Sequence, residues 1–173
     1  MSGTSVAAAI DYLVDKCLHG FTSPPDTPGG ARAIPALTAV DKNVQVTDGP
    51  AGSSSGPWVT IGFAGPQQDT AIPVTIDYKI FGRRRIDEEY TLLIDIITNG
   101  PEDQQSATRL AAAALHDAVV LIVWGDPTLG GVLQNGRSAH VAQAAWIQPP
   151  ASTGSGTAAA IQLSVSVKNS YNP

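Results

Sequence analysis

The chain has 173 residues, which is enough for one domain with its own hydrophobic core. Its 10 basic and 15 acidic residues give a formal net charge of −5, and charged residues make up only 14% of the chain. A protein whose main task is gripping nucleic acid is usually basic, so the composition disfavours that class. So few charges suit a globular protein that also buries surface against other copies or partners.

The chain has one cysteine, Cys17, so no intrachain disulfide can form and the fold does not require an oxidising compartment. The N-terminal stretch MSGTSVAAAIDYLVDK lacks the basic start and the uninterrupted apolar core of a signal peptide. No apolar run is expected to reach the roughly 20 residues that span a bilayer. The sequence therefore predicts a protein that folds in a cytoplasm and does not enter a membrane.

The first predicted element is an amphipathic helix over residues 5–18. Thr4 or Ser5 can cap its start, and Gly20 is expected to end it. Residues 21–43, which contain TSPPDTPGG, show few periodic apolar positions and predict a long irregular connection. The apolar face of the helix is predicted to comprise Val6, Ile10, Leu13, Val14 and Cys17.

Short strands are predicted next. Val44 and Val46 begin one strand, and WVTIGF at 58–63 forms another. The runs IPVTIDYKIF and RIDEEYTLLIDIIT each alternate with period two and are separated by GRRR, so they predict an antiparallel hairpin with Gly82 at or near the turn. The second run is expected to place on one face Ile86, Tyr90, Leu92, Ile94 and Ile96.

A long helix is predicted from about Asp103 to Trp124. A covering loop or a neighbouring subunit could bury the apolar side chains on its back face, and we favour the subunit. The buried stripe is predicted to comprise Ala107, Leu110, Ala111, Ala114, Ala118, Leu121 and Ile122, and the back face Arg109, His116, Val120, Val123 and Trp124.

Two more strands are predicted near the end of the chain, VAQAAWI at 141–147 and AIQLSVSVK at 160–168, with an irregular loop at 149–157 between them. Strands that cluster into hairpins, rather than alternating with helices, indicate an α+β fold. We therefore predict one domain over 1–173, with a mainly antiparallel sheet and two principal helices packed on one of its faces.

The stretch GDPTLGG at 125–131 raises the question of a phosphate site, because glycine-rich turns beside helices can hold phosphate. A phosphate loop needs its glycines before a helix, where free N–H groups and the positive end of the dipole converge. This stretch follows the helix instead, so we interpret it as a helix stop. Gly125 ends the helix, Pro127 prevents its continuation, and Gly130 and Gly131 allow a tight turn.

The three histidines do not predict a metal site. His19, His116 and His140 have no partner His, Cys or carboxylate at zinc-ligand spacing. His116 and Asp117 are neighbours in sequence, so on a helix they are expected to point about 100° apart. Solvated or interfacial histidines are the prediction here.

The acidic strand contains carboxylates that could form a catalytic pair. Alternation places Asp87, Glu89 and Asp95 on the polar face, where charge is expected, whereas Glu88 falls on the apolar face. We expect Glu88 to lie near the sheet edge or to pair with an arginine. No Ser-His-Asp or Cys-His arrangement is detectable, so we predict no catalytic residue, no cofactor and no enzymatic activity.

Arg83, Arg84 and Arg85 form the only dense positive charge. They fit either a solvated hairpin tip or an electrostatic contact with an acidic partner surface or passing DNA.

The order of these elements resembles one family. An amphipathic helix precedes a Val-x-Val strand with Asp48–Pro50, then WVTIGF, then a charged strand that feeds a helix containing ATRLA at 107–111. That helix ends in DPTLGGV at 126–132, and an alternating last strand follows. This arrangement resembles the tail terminator (tail completion) proteins of long-tailed bacteriophages. The resemblance covers most of the chain in element order, and its specific part is the IGF strand with the helix leading into DPTLGGV.

The resemblance implies a structural α+β subunit, without catalysis or cofactor, that forms a hexameric ring on the head-proximal end of the tail tube. The ring stops tube polymerisation and offers a surface to the head. The implied partners are further copies of the chain, the tail tube protein and the head-side connector or stopper, with DNA only as passing cargo. The implied location is the virion tail or neck, after assembly in the host cytoplasm.

Two alternatives stay open at this point. The long 21–43 connection also fits another neck component, such as a head–tail stopper or adaptor, and a small enzyme with a dispersed active site is the second alternative. For the structural role, the residues expected at a partner or subunit interface are Arg83, Arg84, Arg85, Arg109, His116, Val120, Val123 and Trp124.

Overall fold

A computed structural model describes residues 5–27, 29–49, 56–62, 72, 74–79, 85–134, 138–147 and 156–171. The helices are α1 (Val6–His19) and α2 (Gln105–Gly125), with short 3₁₀ turns at Leu37–Ala39 and Glu102–Gln104. The strands are β1 (Phe21–Thr22), β2 (Ala33–Ile34), β3 (Gln45–Thr47), β4 (Trp58–Ile61), β5 (Val74–Lys79), β6 (Arg85–Gly100), β7 (Ala139–Ile147) and β8 (Thr157–Tyr171).

Six strands form one mixed sheet in the order β3-β4-β6-β8-β7, with β5 also paired to β6. The β3–β4 pair is parallel and the other pairs are antiparallel. Because β8 occupies one edge of β6 along its length, β4 and β5 share the other edge, at Ile94–Ile97 and Arg85–Tyr90. The predicted α+β class and the β5–β6 hairpin pairing are confirmed, while Gly82 lies outside the described residues.

The core lies between this sheet and the two helices. Alternate residues of β6 and β8, from Tyr90 to Ile96 and from Ile161 to Val167, point to the helix side and are buried. Burial of each such side chain stabilises the fold by roughly 1.5–3 kcal/mol. Helix α2 packs on β6, β8 and β7, and α1 packs beside it against β3 and β4. The polar start of α2 is hydrogen-bonded to β6, where the Thr98 hydroxyl donates to the Thr108 carbonyl at 2.9 Å.

The ends of α1 only partly match the expectation. Gly20 ends the helix with φ +66°, and a Cβ there would lie 2.6 Å from the Ile34 carbonyl oxygen, so the position requires glycine. Thr4 lies outside the described residues. Ser5 occupies the N-cap position but makes no side-chain cap, because its hydroxyl donates to Glu88 on β6 instead. The first turn of α1 is therefore held by the sheet.

The 21–43 connection is more ordered than the sequence predicted. Strands β1 and β2 pair within it, and both Ile34 and Leu37 are buried in the main core. Strands of two residues produce no periodic signal, which explains why the prediction missed them. In the predicted loop at 149–157, residue Thr157 already belongs to β8, and residues 149–155 lie outside the described part of the chain.

The predicted buried stripe of α2 is wrong in phase. Leu110 is 68% exposed, Leu121, Ala107 and Ala114 are also exposed, and Ala111 is half-buried. Alanines fill both sides of this helix, so periodicity alone does not fix its rotation, and the larger branched side chains decide which face meets the sheet. The buried positions are Thr108, Ala112, Leu115, Ala118, Val119, Ile122, Val123 and Gly125.

This rotation removes Val123 from the predicted partner face, because the side chain is buried in the core of its own chain. A second expectation also changes. By length and composition, Glu102–Gly125 is long and apolar enough to cross a membrane, contrary to the prediction that no run would be. A core helix of a globular domain passes the same test, and the inner face of α2 packs on the sheet.

Candidate interaction surface

The outward face of α2 carries a stripe of exposed, mostly apolar side chains. Leu110, Ala114, Asp117, Leu121 and Trp124 recur at alternating spacings of four and three, which places them on one helix face. All are exposed, and all but Asp117 are apolar. Trp124 is 57% exposed, so most of its ring is free to contact a partner.

The other predicted interface residues of α2 lie beside this stripe. Arg109 is exposed, whereas His116 and Val120 are half-buried. The His116 ring nitrogen Nδ1 lies 2.9 Å from Asp117 Oδ1, so these neighbouring side chains contact each other at the helix surface. Across the described residues, no group of three or more His, Cys, Asp or Glu side chains is placed to hold a metal ion.

A groove of about 430 Å³ opens where the end of α2 meets the start of β7. Its described lining combines an exposed aromatic ring with two basic side chains and contains no acidic one. Arg32 and His140 could not be predicted in this role, because they come from distant segments that only the fold brings together. The lining residues are Arg32, Trp124, Pro127, Ser138, Ala139 and His140.

Strand β7 beside the groove is an edge strand in the described sheet. Native proteins usually protect such edges with charged side chains, prolines or bulges. Between Ala139 and Ile147 there is no lysine, arginine, acid or proline, and only a bulge between Val141 and Gln143 interrupts the pairing with β8. Trp146, on the same strand, is 58% exposed. This edge therefore has the properties of a contact surface.

Of the three clustered arginines, only Arg85 is described, and it lies on the opposite side of the sheet from this groove. Arg83 and Arg84 fall outside the described residues. Arg85 opens β6, where its Nε donates to Asp87 Oδ1 at 2.8 Å. One of the three arginines is therefore already paired on its own strand. A second groove of about 330 Å³ lies here, with a lining that includes Asp77, Asp87 and Glu89, and Lys168 contacts Glu89 at 3.1 Å.

Glu88 lies on the helix-covered face of β6, as alternation predicted, but not at a sheet edge. It is flanked by Ile76 of β5 and Asn169 of β8, and it is only 2% exposed. Its carboxylate accepts hydrogen bonds from the Ser5 hydroxyl at 2.8 Å and the Ser5 N–H at 3.2 Å. Burial raises the pKa of the neighbouring Tyr90, whose hydroxyl lies 2.9 Å from Ser5 Oγ. This cluster fixes the start of α1 to the sheet.

Hydrogen bonds to the side chain of Asp126, which is almost fully buried, hold the GDPTLGG turn together. Its carboxylate accepts from the Thr128 hydroxyl at 2.6 Å, the Gly130 N–H at 2.8 Å and the Tyr12 hydroxyl at 2.7 Å. The Thr128 N–H also donates to it, at 3.1 Å. The N–H groups of Thr128 and Gly130, which a phosphate would need, thus already donate to a carboxylate. Gly125 ends α2 as predicted, and the turn also ties α2 to α1.

Two pKa shifts reflect this arrangement. Burial alone would raise the pKa of Asp126, but the hydrogen bonds from Thr128, Tyr12 and Gly130 outweigh it and lower the pKa below its usual value. Burial, followed by the hydrogen bond to Asp126, raises the pKa of Tyr12. Tyr12 therefore stays a protonated donor and Asp126 an ionised acceptor across neutral pH.

Comparison with known proteins identifies a shared fold. A chain from the "Virion of native gene transfer agent (GTA) particle" matches with a TM-score of 0.52 at 16% identity. The match covers 98% of this chain and 100% of that chain. Comparison of the sequence with protein-family models and with curated proteins gives no match. The likeness therefore concerns the fold, and it extends over essentially the whole length of both chains.

Proposed function

We propose that this chain is a structural component of a phage-like virion and, within it, the tail terminator. In this role it forms a ring on the head-proximal end of the tail tube, stops tube polymerisation and provides the surface that joins the head. The observation that carries the proposal is the fold shared end to end with a virion chain of a gene transfer agent particle. The resemblance of the sequence to tail terminators supports the finer assignment.

The outward stripe of α2 supports assembly with other copies. Burying an aromatic side chain removes about 150–250 Å² of surface from water, so an exposed tryptophan beside exposed leucines is a strong source of association energy. Such a surface on a subunit is typical of a protein that meets a partner.

The position of Asp117 argues for a head-to-tail contact. It stands at the centre of the stripe that runs from Leu110 to Trp124, so a two-fold antiparallel pairing of this stripe would set Asp117 against its own copy. Like charges at a desolvated contact are unfavourable. A heterologous contact avoids this, and heterologous contacts close into rings when the rotation allows. A ring of six is the state that the family resemblance favours.

A closed ring leaves two unlike faces free, one for the tail tube protein and one for the head-side connector or stopper. We assign partner or subunit contacts to the arginines at the hairpin tip and to α2 residues Arg109, His116, Val120 and Trp124. The proposed location is the tail or neck of the virion, after assembly in the host cytoplasm. In this account DNA passes through the ring and no catalytic step is involved.

The proposal is tested by asking what the purified protein caps. It is mixed separately with polymerised tail tubes and with isolated head-side connectors, and labelled protein is located by electron microscopy. We expect label at one end of the tubes, reduced by Trp124→Ala and unchanged by Lys42→Ala, an exposed control position. Binding to connectors without binding to tubes would instead identify a stopper or adaptor. Binding to neither would refute the proposal.

A further inference from the structure

Among the described residues, the main sheet has an unpaired strand edge on each side. At the level of Tyr90 the strands run in the order β5, β6, β8, β7, and in the described chain β5 and β7 each pair with one neighbour only. Unpaired edges present rows of N–H and C=O groups that can accept a further strand. The two edges are therefore candidates for pairing with each other across copies.

On both edge strands, an apolar residue lies on the helix-covered side of the sheet and a titratable residue lies on the outer side. On β5, Ile76 lies opposite Glu88 on the helix-covered side, and Asp77 lies opposite Asp87 on the outer side. On β7, Ala139 lies on the helix-covered side, next to Trp124, and His140 lies opposite Ser166 on the outer side. Adding β5 of another copy to β7 would thus bring apolar to apolar and acid to base.

We propose that the outer edge of β5 in one copy pairs with the outer edge of β7 in the next, so that the sheet continues from subunit to subunit. Ile76, which is exposed in the single chain, then packs into the groove at Trp124, and Asp77 neighbours His140 on the outer face. This inference rests on the proposed ring, since the same contact repeated around an axis closes it.

Strand direction and charge both support this occupant. Because β5–β6, β6–β8 and β8–β7 are antiparallel pairs, β5 and β7 run in opposite directions. Rotation about an axis along the strands preserves these directions, so the new pair is antiparallel, like most of the sheet. Among the described residues, the groove beside β7 is lined by Arg32 and His140 and by no acid. The groove beside β5 is lined by the carboxylates of Asp77, Asp87 and Glu89 and by one cation, Lys168, so its described lining is acidic on balance.

Cysteine cross-linking tests the contact directly. The native thiol, Cys17, is buried and burial raises its pKa to about 12, so it does not compete for a short bismaleimide. Protein carrying Asp77→Cys and protein carrying His140→Cys are mixed at a concentration where native mass shows oligomers, or on tail tubes. We expect a mixed dimer from the pair, little product from either variant alone, and a ladder that closes into a ring from the double variant.

Matched variants distinguish a specific contact at the groove from non-specific hydrophobic association. In the His140→Cys background, Trp124→Ala should reduce the mixed product about tenfold, which corresponds to about 1.4 kcal/mol. Val40→Ala, which truncates an exposed apolar side chain outside α2 and outside the sheet, should leave it unchanged.

Several results would overturn the inference: self-cross-linking of a single variant as strong as that of the mixture, equal effects of Trp124→Ala and Val40→Ala, or no mixed product among oligomers or on tubes. Capping of tubes without the mixed product would refute the edge contact alone. A cross-linked ring that does not bind tubes would refute the proposed function and leave the contact standing.

Discussion

Gly130→Ala should destabilise the protein far more than Gly131→Ala, although the two glycines are adjacent and both have positive φ, +68° and +81°. Placing alanine in this left-handed region costs about 1–2 kcal/mol at either position. The surroundings differ, however. A Cβ at Gly130 would lie 2.6 Å from Cε2 and 2.8 Å from Cδ2 of the Tyr12 ring, whereas a Cβ at Gly131 would have nothing within 4 Å.

The clash sets the difference between the two variants. Moving the Tyr12 ring breaks its 2.7 Å hydrogen bond to the Asp126 carboxylate, and a hydrogen bond to a charged group contributes about 1.5–3 kcal/mol. We therefore expect a loss of about 2.5–5 kcal/mol for Gly130→Ala and about 1–2 kcal/mol for Gly131→Ala. The free energy of unfolding is measured by urea denaturation at neutral pH.

In thermal unfolding, a gap of about 2 kcal/mol corresponds to about 4–8 °C for a chain of this size. Equal losses for the two variants would refute the claim that the turn is packed against α1. Phosphate that raises the Tm of the native protein but not of Gly130→Ala would refute its interpretation as a helix stop that binds no ligand.

Four further outcomes are expected. Asp126→Asn should make the free energy of unfolding less dependent on pH in the acid range, as measured by urea unfolding at a series of pH values. Because the pKa of Asp126 is lowered in the folded state, its contribution to stability is complete above its ordinary pKa of 3.8 and is lost as pH falls through the folded-state pKa. Tyr12→Phe should make the free energy of unfolding less dependent on pH in the alkaline range in the same assay. Because the pKa of Tyr12 is raised in the folded state, its contribution to stability is complete below its ordinary pKa of 10.0 and is lost as pH rises above that value. Trp124→Ala should weaken self-association in sedimentation experiments about tenfold with little change in Tm, and a fall in Tm with unchanged association would contradict this. Replacing Arg83–Arg85 with alanine should leave Tm nearly unchanged, since exposed pairs contribute about 0–1 kcal/mol, yet impair tail completion or head joining, with residual binding that falls with salt; normal virion yield would favour a solvated tip.

The sequence predicted the elements where side-chain periodicity was unambiguous. Strands β6 and β8 alternate cleanly, and α1 has a single apolar face that ends at a glycine, so their positions agree with the structure. In α2 the pattern of apolar residues was compatible with more than one rotation of the helix. Alanines support two rotations, and the choice depends on how Leu115 and Val119 fit the sheet, which is a tertiary property.

The candidate surface was only partly predictable for a related reason. Trp124 could be chosen from the helix alone, whereas its neighbours Arg32 and His140 come from segments far apart in sequence. The hydrogen-bond partner of Glu88 was unpredictable from sequence for the same reason. Alternation placed its side chain on the apolar face, but Ser5, which donates to its carboxylate, precedes a helix more than eighty residues away in sequence. A local pattern indicates which face a residue occupies, and only the fold determines what it meets.

The most direct test of the central claim is the length of tails assembled with and without this protein. Tail tube subunits and the other tail components are combined, and tube lengths and head joining are measured by electron microscopy. With the protein present, we expect one fixed length, the protein at one end of each tube, and tails that join heads. Without it, tubes should overgrow or fail to join heads, and tubes of normal length that join heads in its absence would contradict the account.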